Sequence, residues 1–333
     1  MRQAQGFTRR ATLAAIACLS AVALPALAQQ GEGSGWPRQV VKLIVGYPAG
    51  TSPDLVARAI SDPLSQRLGQ PVIIENRPGA GGNIGVDLVA KARDNHTFGI
   101  TTNGPLTTAP KLYPNLPYDV KKDIQPLSLT ATSPLVLVTG TQVPADNLKD
   151  FIAMAKAKPG SVTYGSIGVG SGSHLTMELF ANRAGIEALH VPYQGFPAVT
   201  SAILGGQIQS GFMAPSGALA QARAGKVKLL GITSPSRSTL APEVPSIAEA
   251  GNMPGFSAEL WTAAIAPASM PRPIAQRLSR EITEILRLPE VRQRLFEQGW
   301  QPVGTAPEGL TNRIAADTKV WNDVITKANV KVN

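Results

Sequence analysis

Polar and apolar positions change period repeatedly along this chain. Short β-branched, apolar stretches at 40–45, 72–75, 98–102, 135–139, 162–166, 208–213 and 229–233 predict strands. Elsewhere the apolar positions return every three or four residues. In 53–68 these positions are Leu55, Val56, Ala59, Ile60, Pro63 and Leu64, which predicts a helix. Further helices are predicted at 83–92, 147–157 and 173–184, and Pro159-Gly160 ends the second of these. Strand–helix alternation predicts an α/β fold of open, largely parallel sheets with helices on both faces. Helical patterns at 271–287, 290–298 and 308–328 fill the last third, and Thr305-Ala306-Pro307 is a fitting start for the longest. That region reads as packing and hinge structure without chemistry of its own.

Two strand-to-helix turns stand out against this pattern. The first is Gly46-Tyr47-Pro48-Ala49-Gly50-Thr51-Ser52-Pro53-Asp54, with Ser52 suited to cap the helix and Pro53 to its first position. The second is Ser166-Ile167-Gly168-Val169-Gly170-Ser171-Gly172-Ser173-His174, rich in glycine and hydroxyl side chains. A helix N-terminus offers unpaired N–H groups and partial positive charge, so it attracts anions. Each turn also reads as an ordinary capped connection. Both lie at the carboxyl ends of strands, where open α/β sheets bind ligands. Together they suggest a small carboxylate gripped from two sides.

Composition narrows the classes. At 333 residues, 43% hydrophobic and 16% charged, the chain can bury a large core in two domains or lobes. Arg2, Arg9 and Arg10, an apolar run over 11–24, and Ala26-Leu27-Ala28 predict a signal peptide over 1–28, with the mature chain starting at Gln29. The run is too short for a membrane anchor, and Thr8-Arg9-Arg10 only loosely matches a twin-arginine signal. Cys18, the single cysteine, leaves with the leader, so no disulfide or thiolate site is expected in the mature protein. The formal charge of +9 falls to +6 once the three leader arginines are subtracted. The remaining basic residues are scattered and not interleaved with aromatics, which argues against nucleic acid as a partner.

Catalytic and cofactor readings fail on particular residues. Gly79-Ala80-Gly81-Gly82-Asn83-Ile84-Gly85 lacks the third glycine of a dinucleotide fingerprint and the Lys-Ser/Thr of a phosphate loop, so it predicts a tight turn into a helix. Neither Ser166 nor Ser171 sits in Gly-x-Ser-x-Gly. His96, His174 and His190 form no His-x-x-x-His pair, so neither zinc nor another cofactor is expected. His174 reads either as a ligand contact or as a capping and packing residue, and His190 reads as structural.

Four segments carry a family resemblance: Tyr47-Pro48-Ala49-Gly50-Thr51-Ser52-Pro53-Asp54, Glu75-Asn76-Arg77-Pro78-Gly79-Ala80-Gly81-Gly82-Asn83-Ile84-Gly85, Gly168-Val169-Gly170-Ser171-Gly172-Ser173-His174-Leu175, and His190-Val191-Pro192-Tyr193-Gln194-Gly195. Leu204-Gly205-Gly206-Gln207 and Val244-Pro245-Ser246-Ile247-Ala248-Glu249-Ala250-Gly251 add to it. The chain resembles the substrate-binding proteins of tripartite tricarboxylate transporters, the Bug or TctC-like family, over essentially its whole mature length. The resemblance implies a periplasmic, non-enzymatic, monomeric binding protein of two hinged lobes, a Venus flytrap of the type II kind, serving membrane permease subunits. It implies lobe 1 over 36–133 and 259–333, lobe 2 over 134–258, and hinges near 133–134 and 258–259. Carried onto this chain, the carboxylate contacts fall on Tyr47, Ala49, Gly50, Thr51, Ser52, Asp54 and Asn103 of the first lobe. In the second lobe they fall on Ser166, Val169, Gly170, Ser171, Gly172, Ser173 and His174, with Pro192 and Tyr193 lining the cleft.

The chain departs from the family pattern twice. Met213-Ala214-Pro215 stands where many members have Phe-Asp-Asn, and Gln194-Gly195-Phe196 where many have Lys-Gly and a small residue. With Phe196 and Met213 as cleft residues, an ammonium finds no counter-ion there. The expected ligand is then a dicarboxylate with an apolar or aromatic body, such as terephthalate or adipate. A receptor presenting its ligand to a sensor kinase and a secreted hydrolase are the alternative functions.

Overall fold

The computed structural model describes residues 35–331 apart from Gln194. The leader at 1–28, the start at Gln29, Cys18 and the departure at Gln194 lie outside the described residues. Residues from Pro37 onward form one compact unit.

The chain begins with β1 (Val41–Val45), α1 (Ser52–Leu68), β2 (Val72–Asn76), α2 (Asn83–Lys91) and β3 (Thr97–Thr102). Two short helices, α3 (Asn103–Thr107) and α4 (Ala109–Leu112), precede the long strand β4 (Ile124–Pro134). The middle holds β5 (Val136–Gly140), α5 (Leu148–Ala157), β6 (Val162–Ser166), α6 (Gly172–Ala184), β7 (Ala188–Pro192), α7 (Phe196–Leu204), β8 (Ser210–Met213), α8 (Pro215–Arg223), β9 (Val227–Ile232) and α9 (Ile247–Ala250). Strand β10 (Glu259–Pro267) is followed by α10 (Arg272–Ile285), α11 (Pro289–Glu297), the two-residue β11 (Gln301–Pro302) and α12 (Pro307–Lys327).

Among the described residues the strands form two sheets, ordered β11-β4-β10-β3-β1-β2 and β7-β6-β8-β5-β9. The chain passes from the first sheet to the second at Leu135 and returns between Ile232 and Glu259. The expectation of largely parallel sheets needs correcting. The pairs β1–β2, β1–β3, β6–β7 and β6–β8 are parallel. Strand β10 runs antiparallel to β3 and β4, and β5 runs antiparallel to β8 and β9. The strands that carry the chain between sheets cause this, because they cross back through their sheets without a helical return.

Alternation sets the cores. In β5, Leu137 enters one apolar cluster with Phe151, Tyr164, Phe180 and Phe212, while Val136 and Val138 enter the opposite one with Val199, Ile203 and Leu219. The second sheet is therefore apolar on both faces, as strands covered by helices on each side must be. In the first sheet, Ile44, Leu129, Trp261 and Ile265 pack with Val86 and Val89 of α2 and Leu310 of α12.

Candidate ligand-binding site

The first turn leaves β1 at Val45 and is held in shape mostly by its own polar groups. Thr51, not Ser52, occupies the capping position of α1, so Ser52 and Pro53 take the first two helical positions. The Thr51 hydroxyl donates to the Pro48 carbonyl at 2.6 Å and so is not free to cap. Asp54 does the work instead. Its carboxylate accepts the Gly50 N–H at 2.8 Å, the Asn76 amide at 2.9 Å and the Arg58 guanidinium at 2.8 Å. Reaching back from the first helical turn to an upstream N–H is the logic of a capping box. Gly50 sits at φ +80, a left-handed conformation that favours glycine.

Asp54 is fully buried. Burial by itself raises a carboxyl, but the hydrogen bonds from Arg58, Gly50 and Asn76 hold this one below the usual range. Its charge is therefore spent inside the protein. The structure corrects the expectation that Asp54 touches ligand: it shapes the turn from behind. Tyr47 is similarly committed, because its hydroxyl donates to the Gly81 carbonyl at 2.7 Å and bonds Thr102 Oγ1 at 2.6 Å. Burial pushes that phenol up to about 12, against the opposing hydrogen bond with Thr102. Ala49 and Gly50 are exposed and Ser52 is half-buried. Asn103 is buried at the start of α3, one residue beyond Thr102. The Gly79–Gly82 segment forms the expected turn, a single 3₁₀ turn leading into α2. A Cβ on Gly46 would lie 2.6 Å from the Gly82 carbonyl oxygen, so these glycines serve close packing and not a phosphate.

The second turn leaves β6 at Ser166 and enters α6. Ser171 caps that helix, its Oγ accepting the His174 N–H at 3.4 Å. Several other donors of the loop are used internally. Gly168 N–H goes to Ser166 Oγ at 3.1 Å, Gly170 N–H to His174 Nδ1 at 2.9 Å, and Ile167 N–H to Ser173 Oγ at 3.2 Å. The first N–H groups of a helix have no acceptor within it, which holds for those of Gly172 and Ser173, the first two residues of α6. Val169 is 42% exposed at the tip of the loop. Ser166 is fully buried, and its hydroxyl bonds His190 Nε2 at 2.6 Å.

His174 and His190 stack at 3.9 Å between ring centroids and 8° between planes. Tyr164 stacks on His190 at 5.0 Å, and its hydroxyl donates to Glu178. Burial lowers both imidazoles, His174 to about 3, with the neighbouring His190 as a second cause, and His190 to about 4. Burial likewise raises Glu178. Of the two readings of His174, the geometry matches the packing role.

The remaining expected residues divide. Tyr193 is half-buried beside the second loop, its N–H donating to the Ser166 carbonyl at 2.9 Å, and Pro192 is exposed at the end of β7. Met213 is a correction. It is 2% exposed and packs with Val136, Val199 and Ala218, because it ends a strand covered by helices on both faces. Phe196 begins α7 half-buried and packs against the apolar clusters of both faces. Sequence reasoning missed the supporting roles of Asn76, Thr102, Tyr164 and Glu178, and read His190 as structural without its partner. Asn76 and His190 lay inside quoted motifs, but nothing in a linear pattern said which side chain each would meet.

No hydrogen bond among the described residues joins the two loops. Two surface hollows, of about 580 and 320 Å³, lie elsewhere, beside Arg292 and Arg280, and hold none of these residues. They are bordered by charged side chains of exposed helices and carry none of the loop chemistry. Among the described residues no group of His, Cys, Asp or Glu is placed to hold a metal, and no helix is long and apolar enough to cross a membrane.

In each of the two helix-flanked sheets a strand ends in a loop rich in backbone N–H and hydroxyl groups at the start of a helix. The chain belongs to the tripartite tricarboxylate transporter family receptors, whose family model matches residues 56–330. It is accordingly a receptor and not an enzyme. It is 35% identical over 313 residues to protein BugT of Bordetella pertussis, across 93% of this chain and 96% of that one. An R. palustris protein solved with adipate is 30% identical with a TM-score of 0.79, covering 89% of this chain and 99% of that one. MatC from Rhodopseudomonas palustris, with bound malate, is 31% identical with a TM-score of 0.74, over 87% and 100% of the two chains.

Proposed function

We propose that this chain is a periplasmic solute-binding receptor that captures a small dicarboxylate and delivers it to the permease subunits of a tripartite transporter. Lobes 36–133 with 259–333 and 134–258 would close about hinges near 133–134 and 258–259. The first and second loops would then meet opposite sides of one carboxylate. Only the closed state contacts both loops, so ligand favours closure by its differential affinity.

One observation carries this reading. The loops present backbone N–H and hydroxyl donors, while the one carboxylate within the two loops, Asp54, is buried and fully hydrogen-bonded. Neutral donors suit an anion, and an ammonium group finds no free counter-charge there. Proteins of the same family at 30% and 31% identity were solved with adipate and malate, which agrees with a dicarboxylate. Burial of Met213 removes half of the argument for an aromatic body, so a flexible aliphatic dicarboxylate now leads and terephthalate becomes a comparison.

A thermal-shift screen of adipate, malate, terephthalate and aspartate tests this. Adipate or malate is expected to raise the melting temperature in a concentration-dependent way, because ligand that binds only the folded state stabilises it. A larger rise with aspartate would overturn the assignment.

A further inference from the structure

Loop-forming glycines are mobile, yet a loop that recognises a carboxylate must hold its N–H groups in one orientation. Gly170 is at φ +74 and Gly168 at φ +130, so the backbone here has access to many alternatives. What selects one arrangement lies behind the loop. His174 Nδ1 accepts the Gly170 N–H at 2.9 Å, which requires that nitrogen to be unprotonated. His190 Nε2 meets Ser166 Oγ at 2.6 Å, and the same oxygen donates to the Gly168 carbonyl at 3.0 Å and accepts the Gly168 N–H at 3.1 Å. This network is satisfied when His190 donates from Nε2. The two rings stack on each other, and Tyr164 covers His190, so neither imidazole can turn independently. Glu178 faces the pair from α6, its Oε1 lying 3.7 Å from His174 Nε2 and bonded by the Tyr164 hydroxyl.

We infer that His174 and His190 are positioning residues for ligand: a stacked imidazole pair that, directly and through Ser166, turns the Gly170 and Gly168 amides inward and so fixes the one backbone arrangement in which the loop meets a carboxylate. The inference rests on the carboxylate-binding reading above. It assigns neither histidine a contact with ligand. It predicts that the placed hydrogen-bonding atom, an acceptor at His174 and a donor at His190, is what matters, and not imidazole as such. Asparagine places an oxygen near the Nδ1 position, and glutamine places its amide near the Nε2 position.

The test uses calorimetric titration of adipate into the full chain, with hydrogen–deuterium exchange of the 167–173 segment measured on the same samples. His174→Leu should bind adipate about tenfold more weakly, the loss expected for one buried hydrogen bond, and should exchange faster across 167–173. His174→Asn should recover affinity to within about threefold and restore slow exchange. His190→Gln should behave as His174→Asn does, which keeps the proposal testable if His174→Leu does not fold. Unchanged affinity and exchange in His174→Leu would overturn the proposal, as would equal loss in the leucine and asparagine variants. If the unsubstituted protein bound neither adipate nor malate, the ligand assignment would fall. The exchange pattern alone would then decide whether the pair orders the loop.

Discussion

At the residue scale, the polar side chains nearest the two loops mostly serve the backbone. Asp54 is itself buried and holds Gly50 and Asn76 in place, and its removal breaks its hydrogen bonds from the Gly50 N–H, the Asn76 amide and Arg58. Asp54→Ala should therefore cost about 1–3 kcal/mol in stability, read as a fall in the denaturation midpoint. The histidine pair makes a second prediction through pH. Folded-state values of about 3 and 4 lie below the ordinary 6.5, so the unfolded chain binds protons that the folded chain refuses. Their contribution is whole above about pH 6.5 and is lost as pH falls toward 4 and then 3. Glu178, raised by burial, works in the opposite direction near the lower end of that range. Melting temperature should drop between pH 6.5 and 4, and the His174→Asn, His190→Gln double variant should show a shallower slope. An equal slope in the two proteins would contradict this. None of these pairings was legible in the sequence, because Asp54 meets Asn76 and Ser166 meets His190 only after separate strands align.

At the element scale, periodicity did well where one face of a helix is polar. The helices at 53–68, 147–157 and 308–328 agree with the structure to within a residue or so. Strand β4 escaped notice because Ser128, Thr130, Thr132 and Ser133 interrupt its apolar residues, although burial is continuous from Leu127 to Pro134. In β10, alanines at 263, 264 and 266 dilute the β-branched signal. Helices α7 and α8 open with proline near their first turn and are short, so neither shows a full apolar stripe. The glycine run of 79–85 was read as a turn, and its packing reason appears only in three dimensions. A Cβ on Gly85 would lie 2.7 Å from the Gly46 backbone nitrogen, so helix α2 meets the first loop backbone to backbone. Gly85→Ala should push α2 away and cost about 1–3 kcal/mol as an overpacked site does. A circular-dichroism melt unchanged from the parent would show that the contact yields freely.

At the scale of the whole molecule, the two sheets share an apolar cluster. Leu175 of α6 packs with Leu112, Ala258 and with Trp321, Val324 and Ile325 of α12, and α12 also lies on β4. The helix that carries the second loop is thus braced by an element of the first sheet. The sequence revealed the amphipathic face of α12 but not what would cover it. Alternation also revealed the α/β class, whereas the mixed strand directions followed from crossings at Leu135 and before Glu259 that no local pattern marks.

The central claim is that both loops grip one carboxylate. Ser171→Asp tests it most directly, because aspartate caps a helix as well as serine does while placing a negative charge at the second loop. Calorimetric titration of adipate into the parent and the variant should show binding in the first and at least a tenfold loss, roughly, in the second, with melting temperatures alike. Equal affinity in the two proteins would place the ligand away from the second loop and contradict the account.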